Sequence, residues 1–288
     1  MKRGIIYLPD ALTRANITPS APRGSRTDGR IIESRIAGAH LRYLILSDIH
    51  ANGEALTQCL EAATGHYDEV LCLGDLVGYG PDPNSVTERV RELSRIIIRG
   101  NHDRACVGLL DPGEFNPLAR WATEWTRREL TLENFEFLRS LPMGPLSVDG
   151  FQMVHGSPLD EDEYILGPVE ALTNLRAMTA PWVLFGHTHH QGGFALSPKG
   201  HFQAIRCARL MDGEPKIVKL LDGYAYLVNP GSVGQPRDGD WRAAYAVLDL
   251  DEKQVEYFRV PYDLAKTQAK MRAAGLPEPL IERLAFGR

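Results

Sequence analysis

Five times in this chain a short run of aliphatic residues stops abruptly in a cluster of Asp, Asn, His and Gly, and no other feature restricts the fold as tightly. Leu44-Ile45-Leu46 runs into Ser47-Asp48-Ile49-His50, and Val70-Leu71-Cys72-Leu73 into Gly74-Asp75. Ile96-Ile97-Ile98 runs into Arg99-Gly100-Asn101-His102-Asp103. Phe151-Gln152-Met153-Val154 is followed by His155-Gly156-Ser157, and Trp182-Val183-Leu184-Phe185 by Gly186-His187-Thr188-His189. Apolar runs this short, bounded by turn residues, read as buried strands. Between the first three lie helical stretches, Glu54 to Ala63 and a second ending near Leu93, where Ser85-x-x-Glu88 reads as a capping box. Strand–helix–strand alternation predicts βαβ units, whose ligands bind outside the carboxyl ends of the strands. The polar clusters sit at those ends.

The alternation breaks over residues 104–141. Asn116-Pro117 suits an N-cap and first turn for a helix through Trp121, Trp125 and Leu130, and Thr131 caps a second helix containing Phe135 and Leu138. A helical insertion here stands beside the Asn101-His102-Asp103 loop like a cap. Residues 225–228, 244–250 and 255–260 read as strands of a second sheet, and about 262–288 as a C-terminal helical segment broken near Pro277. Residues 1–40 are expected to be a disordered extension, because 16–30 are rich in Pro, Gly, Ser and Arg, and residues 41–288 to form the domain. The apolar Gly4–Leu8 stretch is too short for a secretory signal.

Composition narrows the function. Residues 1–42 carry eight Lys/Arg against three Asp/Glu, which leaves −10 on the remainder of a chain whose total is −5. A body that acidic lacks the basic track of a nucleic-acid binder. No apolar run approaches a membrane span. Cys59, Cys72, Cys106 and Cys207 form no C-x-x-C pair, and buried free thiols in the cytoplasm are expected.

The clusters collect Asp48, His50, Asp75, Asn101, His155, His187 and His189. Each alone is better read as a turn residue, a helix cap or an ordinary histidine; what needs explaining is that five strand ends carry them together. Mixed nitrogen and oxygen donors suit manganese, with iron, zinc, cobalt and nickel as alternatives, better than calcium or magnesium. Seven donors exceed the needs of one ion and fit two that share a carboxylate. A water between two such ions is deprotonated near neutral pH, which supplies a nucleophile for in-line attack on phosphorus.

In sequence order, Asp48-x-His50, Gly74-Asp75, Gly100-Asn101-His102-Asp103, His155 and Gly186-His187-x-His189 resemble the calcineurin-like metallophosphoesterase superfamily over about residues 41–262. Gly78-Tyr79-Gly80-Pro81 and Asn229-Pro230-Gly231-Ser232 with Gln235-Pro236-Arg237 are similar to its small bacterial phosphodiesterase branch. Ala51 stands where many members have glycine. The resemblance implies an α/β fold, a four-layer α-β-β-α sandwich of two mixed sheets flanked by helices. It implies that Asp48, His50 and His189 hold one metal and Asn101, His155 and His187 the other, with Asp75 bridging. By the same resemblance His102 contacts phosphate and protonates the leaving oxygen, and Asp103 orients it; a helix N-cap role for Asp103 is equally open. Arg237 is a candidate phosphate contact beside Asn101. Tyr79, Phe115, Trp121 and Trp125 could line a pocket for a base or aryl group, although core packing suits the tryptophans better.

The expected activity is hydrolysis of a small phosphorylated substrate, a nucleotide or dinucleoside polyphosphate. A protein phosphatase or a cyclic-nucleotide phosphodiesterase is the alternative. A non-catalytic scaffold of the same fold is the rival from another class; it should have eroded ligands, whereas all seven and His102 are present.

Overall fold

The apolar runs become the central strands of two sheets, and the helical stretches cover their outer faces. The computed structural model describes residues 5–6, 31–32, 41–207 and 210–288. Its strands are β1 (Ile5–Ile6), β2 (Ile31–Ile32), β3 (Arg42–Leu46), β4 (Glu69–Cys72), β5 (Ile96–Ile97), β6 (Leu146–Val148), β7 (Phe151–Met153), β8 (Trp182–Leu184), β9 (Gly192–Leu196), β10 (Phe202–Arg206), β11 (Lys216–Lys219), β12 (Ala225–Asn229), β13 (Ala243–Asp249) and β14 (Gln254–Val260). Its helices are α1 (Gly53–Ala63), α2 (Pro83–Leu93), α3 (Asn101–Cys106), α4 (Pro117–Glu129), α5 (Leu132–Ser140), α6 (Pro168–Ala177), α7 (Leu264–Ala273) and α8 (Glu278–Arg283). The expected disorder of 1–40 lies outside the described residues, apart from the pairings of β1 with β11 and β2 with β6.

One sheet has the order β1-β11-β14-β13-β3-β4-β5 and the other β10-β9-β12-β8-β7-β6-β2. Both are mixed: β3, β4 and β5 are parallel while β13 runs antiparallel to β3, and β7, β8 and β12 are parallel while β9 runs antiparallel to β12. Alternation along the strands assigns the layers. Tyr43 and Ile45 of β3 pack inward with Phe151, Met153, Tyr226 and Val228 of the opposing sheet. Leu44 and Leu46 face the other way, toward Leu56, Cys59 and Leu60 of α1. Across the sandwich, Val183 and Leu227 face Ala171 and Leu175 of α6. The result is the expected four-layer α-β-β-α arrangement.

Two local expectations need correction. β13 and β14 extend the first sheet next to β3 instead of helping to build a second; every residue of β13 is buried, as a central strand covered on both faces requires. The second helix begins at Pro83 behind Asp82, not at Ser85, and Glu88 accepts a hydrogen bond from Asn134 at 3.0 Å instead of closing a capping box. In the insertion, α4 packs through Ala119 and Ala122 against Met271, Leu280 and Ile281 of the C-terminal helices. The caps at Asn116 and Thr131 are as expected.

Candidate metal centre

Each cluster sits where a strand ends, and the backbone there is bent to aim side chains inward. Asp48, His50, Asp75, His187 and His189 all have positive φ, between 48° and 63°. Non-glycine residues rarely adopt that region, and such strain persists where the surroundings enforce it. Two glycines make room. A Cβ on Gly100 would lie 2.1 Å from Asp75 Oδ1, and one on Gly186 would lie 2.1 Å from Ser47 Oγ and 2.9 Å from Asp48 Oδ2.

Ligand-type atoms of Asp48, His50, Asp75 and His189 lie within 4.8 Å of one another, as do those of Asp75, His155 and His187. Asp75 belongs to both groups. His50 Nε2 and His155 Nε2 approach Asp75 Oδ2 at 3.7 and 3.4 Å, and His189 Nε2 approaches Asp48 Oδ1 at 3.3 Å. Asn101 Oδ1 lies 3.1 Å from His155 Nε2, so the amide joins the second group. The outward ring nitrogens meet backbone carbonyls: His50 Nδ1 with Val77 at 3.1 Å, His155 Nδ1 with Leu73 at 2.8 Å, His189 Nδ1 with Gln235 at 2.5 Å. His187 is turned the other way, its Nε2 meeting the Asp162 carbonyl at 3.1 Å, which leaves Nδ1 available. Carbonyls of this kind fix the tautomer and ring orientation of metal-ligating histidines.

The donor set fits divalent ions. Among the described residues Asp75 Oδ2 is buried without a hydrogen-bond partner, while Oδ1 accepts from the His102 amide at 2.8 Å. A buried carboxylate oxygen facing only imidazole nitrogens is costly unless a cation joins it. Burial alone would raise the Asp48 and Asp75 carboxyls, yet neighbouring imidazoles, chiefly His189 for Asp48 and His155 for Asp75, hold both below the usual carboxylate range. Burial lowers His187 to about 3, so that ring is neutral and able to ligate.

His102 lines a cavity of about 260 Å³ beside the cluster, with its Nδ1 buried and without a hydrogen-bond partner among the described residues. Burial takes this imidazole down to about 4 against the pull of Asp75. The orienting contact expected from Asp103 is not made. Its oxygens accept from the Gly100 and Val77 amides at 3.0 and 3.2 Å, so it fixes the start of α3 and the loop after β4. Burial, reinforced by Asp75, raises the Asp103 carboxyl to about 7. The Arg237 guanidinium lies 5.8 Å from the Tyr79 ring centre, and among the described residues its buried Nε has no hydrogen-bond partner.

The cavity wall is aromatic. Tyr79 and Phe115 flank His102 with ring centres 4.5 and 4.8 Å away, and Tyr164 stacks on His187 at 3.8 Å. Trp121 is exposed and Trp125 packs against the C-terminal helices, so neither tryptophan lines it. Tyr164 escaped sequence reading because it lies in an irregular acidic loop with no periodicity. Asn229 and Ser232 brace the centre: Asn229 Nδ2 donates to Gly186 O at 2.9 Å, and Ser232 Oγ to Asp48 O at 2.7 Å.

A four-layer sandwich with a buried Asp/His cluster across its strand ends defines a metallophosphoesterase architecture. Residues 41–253 match the calcineurin-like phosphoesterase superfamily domain, and the chain belongs to that family. It is similar to a metallophosphoesterase from Sphaerobacter thermophilus, at 40% identity and a TM-score of 0.74, over 87% of this chain and 100% of that one. An uncharacterised protein of Methanocaldococcus jannaschii is 36% identical over 251 residues, 85% of this chain and 97% of its own. A hypothetical protein from Pyrococcus horikoshii OT3 shares the fold, with a TM-score of 0.70 at 23% identity over 86% of this chain and 99% of that one. The family and the buried cluster together indicate a dinuclear divalent metal site.

Proposed function

We propose that this chain is a dinuclear-metal-dependent hydrolase of small phosphate esters or anhydrides whose substrate carries a nucleobase or aryl group, a nucleotide or dinucleoside polyphosphate. The observation that carries the reading is Asp75: one carboxylate common to two ligand groups, with one oxygen buried and unpartnered among the described residues. Asp48, His50 and His189 would hold one ion, Asn101, His155 and His187 the other, and Asp75 both. Their mixed donors favour manganese, with iron, zinc, cobalt or nickel as alternatives. Bound there, two ions supply an activated water and neutralise charge on the phosphoryl oxygens.

The protein's own groups complete the chemistry. Arg237, whose buried Nε has no hydrogen-bond partner among the described residues, would meet phosphoryl oxygens beside Asn101. His102 donates a proton to the leaving oxygen; burial favours its neutral form, and an anionic substrate raises its basicity. Asp103 positions His102 through the α3 N-terminus. Tyr79, Phe115 and Tyr164 hold the base or aryl group. A cyclic-nucleotide phosphodiesterase would use the same wall, whereas a phosphoprotein phosphatase needs a more open cleft than about 260 Å³. The buried free thiols suit the reducing cytoplasm. Among the described residues no helix is long and apolar enough to cross a membrane.

The test is hydrolysis of p-nitrophenyl phosphate, bis-p-nitrophenyl phosphate and nucleotides with and without manganese, in the wild type and in His102→Ala. The variant is expected to keep its metal and to lose about 10²–10⁴ in kcat on nucleotides, but much less on p-nitrophenyl esters, whose leaving group needs no proton. Equal turnover of nucleotides by both proteins would remove the acid from the mechanism.

A further inference from the structure

Three stretches that wall the metal centre alternate their residues between it and a second, larger cavity behind it. After β8, His187 and His189 belong to the metal cluster while Thr188 and His190 line the cavity. Before α6, Asp162 and Tyr164 line the substrate side while Ile165 and Leu166 line the cavity. After β12, Arg237 lies against Tyr79 while Asp238 lines the cavity. The cavity measures about 810 Å³, within the range of small-molecule sites.

Its chemistry selects a ligand. Phe194 of β9, its cross-strand partner Ala204 of β10, and Trp241 give an apolar lining. The charged groups deeper in the wall are already satisfied. Arg259, 1% exposed, donates to Gln191 and to the Asp240 and Arg242 carbonyls and pairs with Asp238, while Asp240 is paired with Arg242. Arg206 is different: among the described residues its exposed guanidinium has no partner, and the Trp241 indole N–H carries no hydrogen bond. An apolar chamber with one uncommitted cation and one free donor fits an apolar body with a single anionic head.

We propose that this cavity is a second ligand site for a small amphipathic anion of the alkyl-carboxylate type, linked to the metal centre through the shared walls. The tail fills the space over Phe194 and Ala204, and the carboxylate meets Arg206. Occupancy bears on the Ile165–Leu166 side of the loop whose other side carries the His187 carbonyl partner and Tyr164. Binding in the cavity does not rest on the proposed hydrolysis, whereas the linkage rests on the proposed metal centre.

Isothermal titration of decanoate into the full chain, manganese-loaded and metal-free, tests it. One saturable site is expected, weakened about tenfold by Arg206→Glu, the scale of a lost charge-assisted hydrogen bond. Ala204→Trp, at an exposed strand position, should abolish it, and decyltrimethylammonium should not occupy it. Linkage predicts that manganese changes the decanoate Kd by about fivefold or more, and decanoate the manganese Kd by the same factor. No saturable binding, equal binding of the cationic amphiphile, or indifference to both substitutions would overturn the site; equal Kd values with and without manganese would overturn the linkage.

Discussion

At the scale of single residues, the centre depends on which groups can approach one another closely. Gly100 has an ordinary φ of −104°, so its glycine is required by space and not by backbone freedom. The missing Cβ is what lets Asp75 lie against the start of α3 and accept from the His102 amide. Gly100→Ala is therefore expected to destabilise the protein by about 1–3 kcal/mol, as overpacking does, and to displace the Asp75 carboxylate. Thermal unfolding and metal content of that variant check both parts; wild-type metal content would show that Asp75 tolerates the shift. The candidate ligands were legible in the sequence because each chemical cluster coincides with a strand end. Their backbone partners were not: the carbonyls of Val77, Leu73, Gln235 and Asp162 that set the histidine rings have no residue-type signature. For the same reason Asp103 was readable as a helix-start residue, while its hydrogen bonds to Gly100 and Val77 emerge only from the fold.

At the scale of elements, the parallel units bearing Asp48, Asp75 and Asn101 were readable from periodicity, whereas of the antiparallel additions β13 and β14 were read as strands but assigned to the wrong sheet, and β9 and β10 were missed. β9 and β10 have mixed, half-exposed faces, and β9 begins with Gly192-Gly193, so neither presents a clean alternation. The register that brings β13 beside β3 is a long-range pairing no local pattern encodes. The C-terminal helices show how distant elements are tied to the site. Lys270 of α7 reaches Glu54 of α1 at 3.1 Å and also Asp82, the N-cap of α2. Burial raises the Glu54 carboxyl, but Lys270 more than offsets this and leaves it below its ordinary value. A depressed carboxyl contributes stability that is present above its unfolded value and lost as pH falls through its folded value. Lys270→Met should thus cost about 1 kcal/mol near neutral pH, on the scale of a partly exposed ion pair. Thermal melts of the two proteins should converge in acid below the ordinary carboxyl range; a difference that persisted there would assign the effect to packing.

At the scale of the whole molecule, two sheets place their strand ends together, and chain segments crossing from one to the other wall both the metal centre and the cavity behind it. The acidic body suits a small substrate held by cations better than a polyanionic chain. This division was legible in composition and motif order, while the second cavity was not, because it arises where β9 and β10 pass the start of α6. The central claim is that one carboxylate serves two ions. Metal content per chain and manganese-dependent hydrolysis of bis-p-nitrophenyl phosphate, measured together on wild type and Asp75→Asn, test it most directly. The account predicts about two ions and turnover in the wild type, with both lost in the variant because both sites share Asp75. A wild type that binds no divalent ion, or a variant that keeps two ions and full turnover, would contradict it.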